Sequence, residues 1–313
     1  MAARCASISR SRISVFLARS TNGSDAGSVL RGRAIGTFFQ LSGSDEGAII
    51  TSAVAHASKG SRIISTMYPT FFRVGSFEVT SFGVMVALGA LIGLWVFGRE
   101  LARSGLPASA GDAAMAGVFG GLLGAKMLWV AEHLGQEPFR DLILSRGGMS
   151  WFGGLVGGVV TALLVMGRMR LPIVPTLAAS TPALAIGHAI GRIGCFLVGD
   201  DYGRPTNLPW AVAFPRGLPP TDIPVHPTQL YEMAALFVVA WLLIIWRRRG
   251  VADAIVLGRY LVLTGAIRFA IEFVRVNARI LGPFTLAHLV SLALMIVGAA
   301  VLVTGSQRAR VVD

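Results

Sequence analysis

The stretch GHAIGRIGCFLVGDDYG, residues 187–203, decides how the rest of the chain is read. It starts as apolar, glycine-rich helical sequence, reaches Arg192 and ends in the turn-prone run Gly199-Asp200-Asp201-Tyr202-Gly203. An arginine at the end of a membrane span is costly unless it is hydrated, paired or holding an anion. Taken alone, Arg192 would simply snorkel to the interface. It is not alone. HPTQLYE (226–232) and RFAIEFVR (268–275) also flank or lie inside apolar runs. Three polar clusters in one apolar chain point to a shared site.

Composition supports a membrane setting. Of 313 residues, 54% are hydrophobic and only 14% charged, against about 25% charged in a soluble domain. The mean hydropathy is +0.67. The predicted fold class is all-α: a polytopic membrane protein of about seven transmembrane helices with a small extramembrane cap. Each span satisfies its backbone groups internally. The apolar runs place spans near 79–98, 113–131, 147–166, 177–190, 227–246, 260–274 and 283–303. The fourth is expected to break near Pro182, and Pro227 to open the fifth with His226 at its cap. Gly117, Gly120, Gly121 and Gly124 offer a small face for close helix approach. Residues 199–227, rich in Gly, Pro, Asp and Asn, read as the cap. Residues 67–305 form the expected folded domain and 306–313 a tail.

The net charge of +12 does not imply nucleic acid, because no basic–aromatic recognition motif is present. The arginines lie mostly between apolar runs, where they orient spans and meet anionic lipid. With the N-terminus outside and the C-terminus cytoplasmic, ten arginines fall inside and seven outside. Two cysteines, Cys5 and Cys195, supply neither a disulfide framework nor metal-ligand spacing, so no cofactor or metal is expected. Cys195 reads as a small residue packed beside Arg192. Residues 1–66 are rich in Ser, Arg and Gly, with apolar runs too short to span a membrane. They read as an extension, disordered or upstream of the natural start, with a transit peptide as the alternative.

Arg268, Glu272 and Arg275 stand at i, i+4 and i+7, which puts them on one helical face. Either they form an ion-pair ladder that neutralises the arginines, or Glu272 aims both arginines at a shared anion. A guanidinium is planar, permanently charged and binds two phosphate oxygens at once. Arg192 and Arg268, from separate spans, can therefore grip one phosphate. His226 is the candidate proton acceptor, since histidine titrates near neutrality; a cap or packing role is the alternative. Asp200, Gln229, Tyr231, Glu232 and Arg275 are candidate substrate contacts. His188 and His288 read as hydrogen-bonded core histidines.

GRIGCFLVGDDYG resembles the signature of the prolipoprotein diacylglyceryl transferases, bacterial inner-membrane enzymes. HPTQLYE and RFAIEFVR resemble two further motifs of that family in the same order, and the glycine-rich residues 147–158 a fourth. The run from Met67 through Gly75 resembles the beginning of a family member, and the likeness extends to about residue 305. It implies that phosphatidylglycerol, a membrane lipid, donates its diacylglyceryl group to the lipobox cysteine thiol of prolipoprotein signal peptides, and that glycerol phosphate leaves. Arg192, Arg268, Glu272 and His226 are then the expected catalytic set. Four positions depart from the pattern. Phe152 stands where some members carry histidine and Phe82 where tyrosine is typical. Cys195 and Asp200 stand where Asn and Glu are frequent. Phe152 cannot accept a proton, so the resemblance leaves the base open. The other readings are a membrane protein whose arginines bind a passing anion, for which no inverted repeat is visible, and a lipid-binding relative without transfer. An intramembrane serine protease is a fourth, weaker reading, since Ser150 lacks an evident histidine partner or nucleophile-elbow sequence.

Overall fold

The computed structural model describes residues 69–74, 77–136, 138–145 and 148–312. Residues 1–66, Met67, Tyr68, Gly75 and Gly147 lie outside that set, and with them the expectations made for the N-terminal extension. Eight helices follow in chain order: α1 (Ser81–Arg103), α2 (Ala110–Glu132), the short α3 (Phe139–Leu144), α4 (Trp151–Arg168), α5 (Ile173–Val198), α6 (Thr228–Arg248), α7 (Asp253–Glu272) and α8 (Leu286–Val312). All but α3 are long and apolar enough to cross a membrane. This matches the seven spans that the apolar runs predict. Even the shortest, the 18-residue α4, covers about 27 Å at 1.5 Å per residue, close to the thickness of a hydrocarbon core. Large apolar side chains such as Trp95, Phe119, Leu123, Met127 and Trp241 point outward, more than half exposed. A polytopic membrane protein presents such side chains to lipid.

The described residues also form three antiparallel ribbons: β1 (Thr70–Val74) with β2 (Phe77–Thr80), β3 (Val212–Phe214) with β4 (Thr221–Val225), and β5 (Arg279–Leu281) with β6 (Phe284–Thr285). The first precedes α1 and the others join α5 to α6 and α7 to α8, all at the end of the bundle where α1, α6 and α8 begin and α5 and α7 finish. Val212, Phe214 and Val225 form a small core of their own, with Phe196 and Tyr202 packed on it. Bridges from Gly203 to Arg275 and from Pro205 to Val225 tie the residues after α5 to those after α7 and to β4.

The helices pack chiefly as α2 on α4, α7 on α8, and α1, α6 and α7 around α5. Small residues make this possible. A Cβ at Gly124 would lie 2.4 Å from the Gly153 carbonyl oxygen, and one at Gly157 would lie 2.4 Å from that of Gly120. The backbones of α2 and α4 therefore touch along the glycine face predicted for α2. Alanines on α5 (Ala178, Ala179, Ala185 and Ala189) are fully buried.

Pro182 does not break α5, as the sequence suggested, but sits inside a continuous helix. Proline cannot donate to the carbonyl four residues back, which is that of Ala178. The Thr181 hydroxyl donates to it instead, at 2.9 Å. Arg192 is consequently not at the end of its span but six residues inside it. Two other boundaries move. The N-cap of α6 is Pro227 rather than His226, and α7 starts at Asp253 and ends at Glu272, so Arg275 stands beyond it in a turn. At the opposite end of the bundle, buried Glu100 accepts from Arg103 at 2.8 Å and from Arg247 at 2.7 Å. Arg247 also reaches Asp253 at 3.1 Å, which pins α1, α6 and α7 together.

Candidate active site

Glu232, in the second turn of α6, is 1% exposed. Its Oε2 lies 3.0 Å from Arg192 Nε and 3.7 Å from Arg268 Nη1. The two arginines predicted to share an anion thus meet on one carboxylate oxygen, brought there by α5 and α7, which both pack against α6. Oε1 of the same carboxylate lies 3.4 Å from His188 Nε2.

Two further carboxylates extend the cluster. Glu272 pairs with Arg268 Nη2 at 2.7 Å, accepts from Asn277 Nδ2 at 2.6 Å and Thr285 Oγ1 at 2.7 Å, and lies 3.7 Å from Arg275 Nε. The i, i+4 pair of the sequence is present on the helix. Arg275 joins through the turn, where its amide donates to the Glu272 carbonyl. Asp201 bridges Arg192 Nη1 at 2.8 Å and Arg275 Nη2 at 2.5 Å. It does so from a backbone φ of 61°, a left-handed geometry that Asp tolerates better than most residues. Three arginines thus face three carboxylates, and the balance lets the cluster persist where isolated charges would be expelled.

Asp200 makes no ion pair among the described residues. Its carbonyl accepts from Gln229 Nε2, while the Asp201 carbonyl accepts from the Thr228 hydroxyl at 2.7 Å. The start of α6 is thereby fastened to the turn after α5. The neighbouring carboxyls are pushed apart. Burial, then the charge of Asp201, raises Asp200 above the usual carboxylate range. Burial would also raise Asp201, but Arg275 and Arg192 outweigh it and hold that carboxyl at about 2. A carboxyl depressed on folding contributes stability above its unfolded value and loses it as pH falls through the folded one. Asp201→Asn should therefore lower the thermal midpoint of the detergent-solubilised protein at pH 7. The deficit should stay constant down to about pH 5 and close between about pH 4 and 2. Equal midpoints at pH 7 would contradict the bridge.

His226 and Tyr231 sit together, ring on ring. His226 Nδ1 is 3.3 Å from Tyr231 Oη, which accepts from Trp210 Nε1 at 2.7 Å. No described hydrogen bond or ion pair joins His226 to Arg192, Arg268 or Glu232. His288 is a core histidine, as its apolar surroundings predict. It is 2% exposed among Phe269, Phe273 and Phe284, and its Nδ1 accepts from the Thr285 amide at 3.1 Å. Cys195 Sγ and carboxylate oxygens of Asp200 and Asp201 gather within 4.8 Å, a grouping that linear spacing did not suggest. It does not suit a metal: guanidiniums hold both Asp201 oxygens, and Arg192 Nη1 lies 3.7 Å from the sulfur.

Sequence reasoning missed Asp201, His188, Asn277 and Thr285. The signal for His188 was present, since it precedes Arg192 by four residues and so shares its face. The other three reach the cluster from turns and a ribbon whose path no periodicity encodes.

The model of one family, prolipoprotein diacylglyceryl transferase, matches residues 69–304. That range holds every residue of the cluster. Relatives named phosphatidylglycerol–prolipoprotein diacylglyceryl transferase align over nearly their whole lengths. The Geobacter sulfurreducens protein is 30% identical over 77% of this chain and 96% of its own. Those of Cupriavidus pinatubonensis and Vibrio vulnificus are each 32% identical, over 77% and 78% of this chain and 92% and 94% of their own. Seven apolar helices, the buried arginine cluster and a match across the whole helical region lead to one assignment: the chain belongs to the prolipoprotein diacylglyceryl transferase family.

Proposed function

We propose that the chain transfers the diacylglyceryl group of phosphatidylglycerol to the lipobox cysteine thiol of prolipoproteins and releases glycerol phosphate. The observation that carries this reading is the meeting of Arg192 and Arg268 on Glu232 Oε2. Arg192 Nε, Arg268 Nη1 and Arg275 Nε and Nη1 are buried, and make no hydrogen bond that meets normal geometry among the described residues. These N–H groups are directed donors held ready for oxygen. Arg268, with 24% of its side chain exposed and its contact to Glu232 stretched to 3.7 Å, is the more readily recruited by a phosphate, with Arg192 fixed beside it. The bond between the glyceryl carbon and its phosphate oxygen breaks as sulfur attacks that carbon. Charge then grows on the departing phosphate, where fixed guanidiniums lower the barrier. Glu272 and Asp201 hold the arginines in place, and Asp200, Gln229, Tyr231 and Glu232 shape the approach. His226 has its ring on Tyr231 and serves as a packing residue at the rim.

The orientation follows from the same reading. The end bearing Arg192 and the residue 199–227 cap faces outward from the bacterial inner membrane, where lipid headgroup and precursor meet. Arg99, Arg103, Arg168 and Arg247 then lie at the cytoplasmic end, with the 306–313 tail. Residues 67–305 form the transferase domain. Complementation of a strain depleted of its own transferase tests the function. Growth, with labelled lipid appearing on a lipobox peptide, is expected. A well-expressed, membrane-inserted protein that supports neither would reject it.

A further inference from the structure

We propose that His188 is the base that takes the proton of the acceptor thiol, with Glu232 as its partner carboxylate. This rests on the transferase reading above. Helix α5 sets His188 one turn before Arg192, so both side chains meet Glu232. The carboxylate is divided between two tasks. Oε2 faces the arginines that bind the headgroup, and Oε1 faces His188 Nε2 at 3.4 Å. In the neutral ring, Nε2–H points to the carboxylate and the lone pair is left on Nδ1. Nδ1 makes no hydrogen bond among the described residues. The His188 side chain is 37% exposed, against 2% for Glu232 and 10% for Arg192. The imidazole is thus far more accessible than the carboxylate it faces.

Four histidines lie among the described residues, and the other three are engaged elsewhere. His133 Nδ1 is on the Trp129 carbonyl, His226 on Tyr231, and His288 on Thr285. Among the described residues only His188 lies directly against a carboxylate of the cluster; His288 reaches Glu272 only through the Thr285 hydroxyl. The charged groups that face His188 are Glu232 from α6, Arg192 from α5 and Arg268 from α7.

The step balances with the groups named. The thiol proton moves to His188 Nδ1 as sulfur bonds to the glyceryl carbon. The carbon–oxygen bond breaks, and its electron pair leaves on glycerol phosphate. Glu232 stabilises the imidazolium formed, as a carboxylate does beside a catalytic histidine. The proton then passes to the phosphate as it departs, which restores the neutral ring.

The test uses the full chain in phosphatidylglycerol vesicles with a lipobox-cysteine peptide. In His188→Gln the amide keeps a donor toward Glu232 but accepts no proton. Turnover at pH 7 should fall about 100-fold, with KM for phosphatidylglycerol within about twofold of wild type. The acid limb of the wild-type pH profile should disappear. The rate should recover as pH rises toward the ionisation of the peptide thiol, which then needs no base. His188→Ala rescued by added imidazole would give the same answer should the Gln variant fold poorly. A His188→Gln enzyme with wild-type turnover and profile overturns the assignment, as does a loss that neither high pH nor imidazole relieves. The same signature in His226→Gln instead would also overturn it. A wild-type protein that transfers nothing defeats the transferase reading itself, and the base assignment with it.

Discussion

Arg192→Ala abolishes lipid transfer: the expected loss is about 1000-fold or more in turnover, measured with labelled phosphatidylglycerol and a lipobox peptide. One fixed donor aimed at developing charge is worth about 10²–10³ in rate. Arg192 supplies a full charge as well, from a position 8% exposed where water screens little. The substitution also disturbs structure, because it takes one partner from Glu232 and one from Asp201. Breaking a buried pair can cost about 3–5 kcal/mol. Glu232 keeps Arg268 and His188, and Asp201 keeps Arg275, so a folded, inserted protein is still expected. Arg192→Lys separates the two effects. It retains the charge and most of the stability but loses the planar fork, and should still be about 100-fold slower. Undiminished transfer by a purified Arg192→Ala protein would remove this residue from the site.

Gly157→Val should part α2 from α4. The new Cβ would stand 2.4 Å from the Gly120 carbonyl oxygen and 3.0 Å from the Gly124 Cα. Both obstacles are backbone, so no rotamer change relieves them. The helices must separate, and the neighbouring contact between Gly124 and Gly153 opens with them. Overpacking of this kind costs about 1–3 kcal/mol, and the upper end is expected because the contact is repeated along the pair. Thermal unfolding in detergent should show a markedly lower midpoint and reduced membrane yield. Gly167→Ala, in the same helix with nothing within 4 Å of its Cβ, is the control. It should be neutral or slightly stabilising, since alanine is the better helix former. Equal midpoints for Gly157→Val and wild type would mean that the close approach of α2 and α4 is not needed.

Much of the architecture was legible in residue order alone. A run of apolar residues long enough to cross the hydrocarbon core has few alternatives to a helix, because every backbone group must be satisfied within it. That reasoning needs no knowledge of neighbours, and it locates all seven spans. The glycine face of α2 and the Arg268–Glu272 pair were legible for the same reason: residues three or four apart share one side of a helix. The continuity of α5 was not, because it depends on the Thr181 hydroxyl replacing the hydrogen bond that Pro182 removes.

The site belongs to the tertiary structure. Residue order placed Arg192, Glu232 and Arg268 on three separate spans but could not say that one carboxylate oxygen collects both arginines. That depends on how each helix is rotated about its axis and how closely it approaches its neighbours. Nor could it choose Asp201 over Asp200 as the bridge, since adjacent carboxylates differ only in where the turn after α5 points them. Hydropathy acts within a window of about 20 residues, whereas an ion pair between spans depends on distances of a few ångströms that packing alone sets.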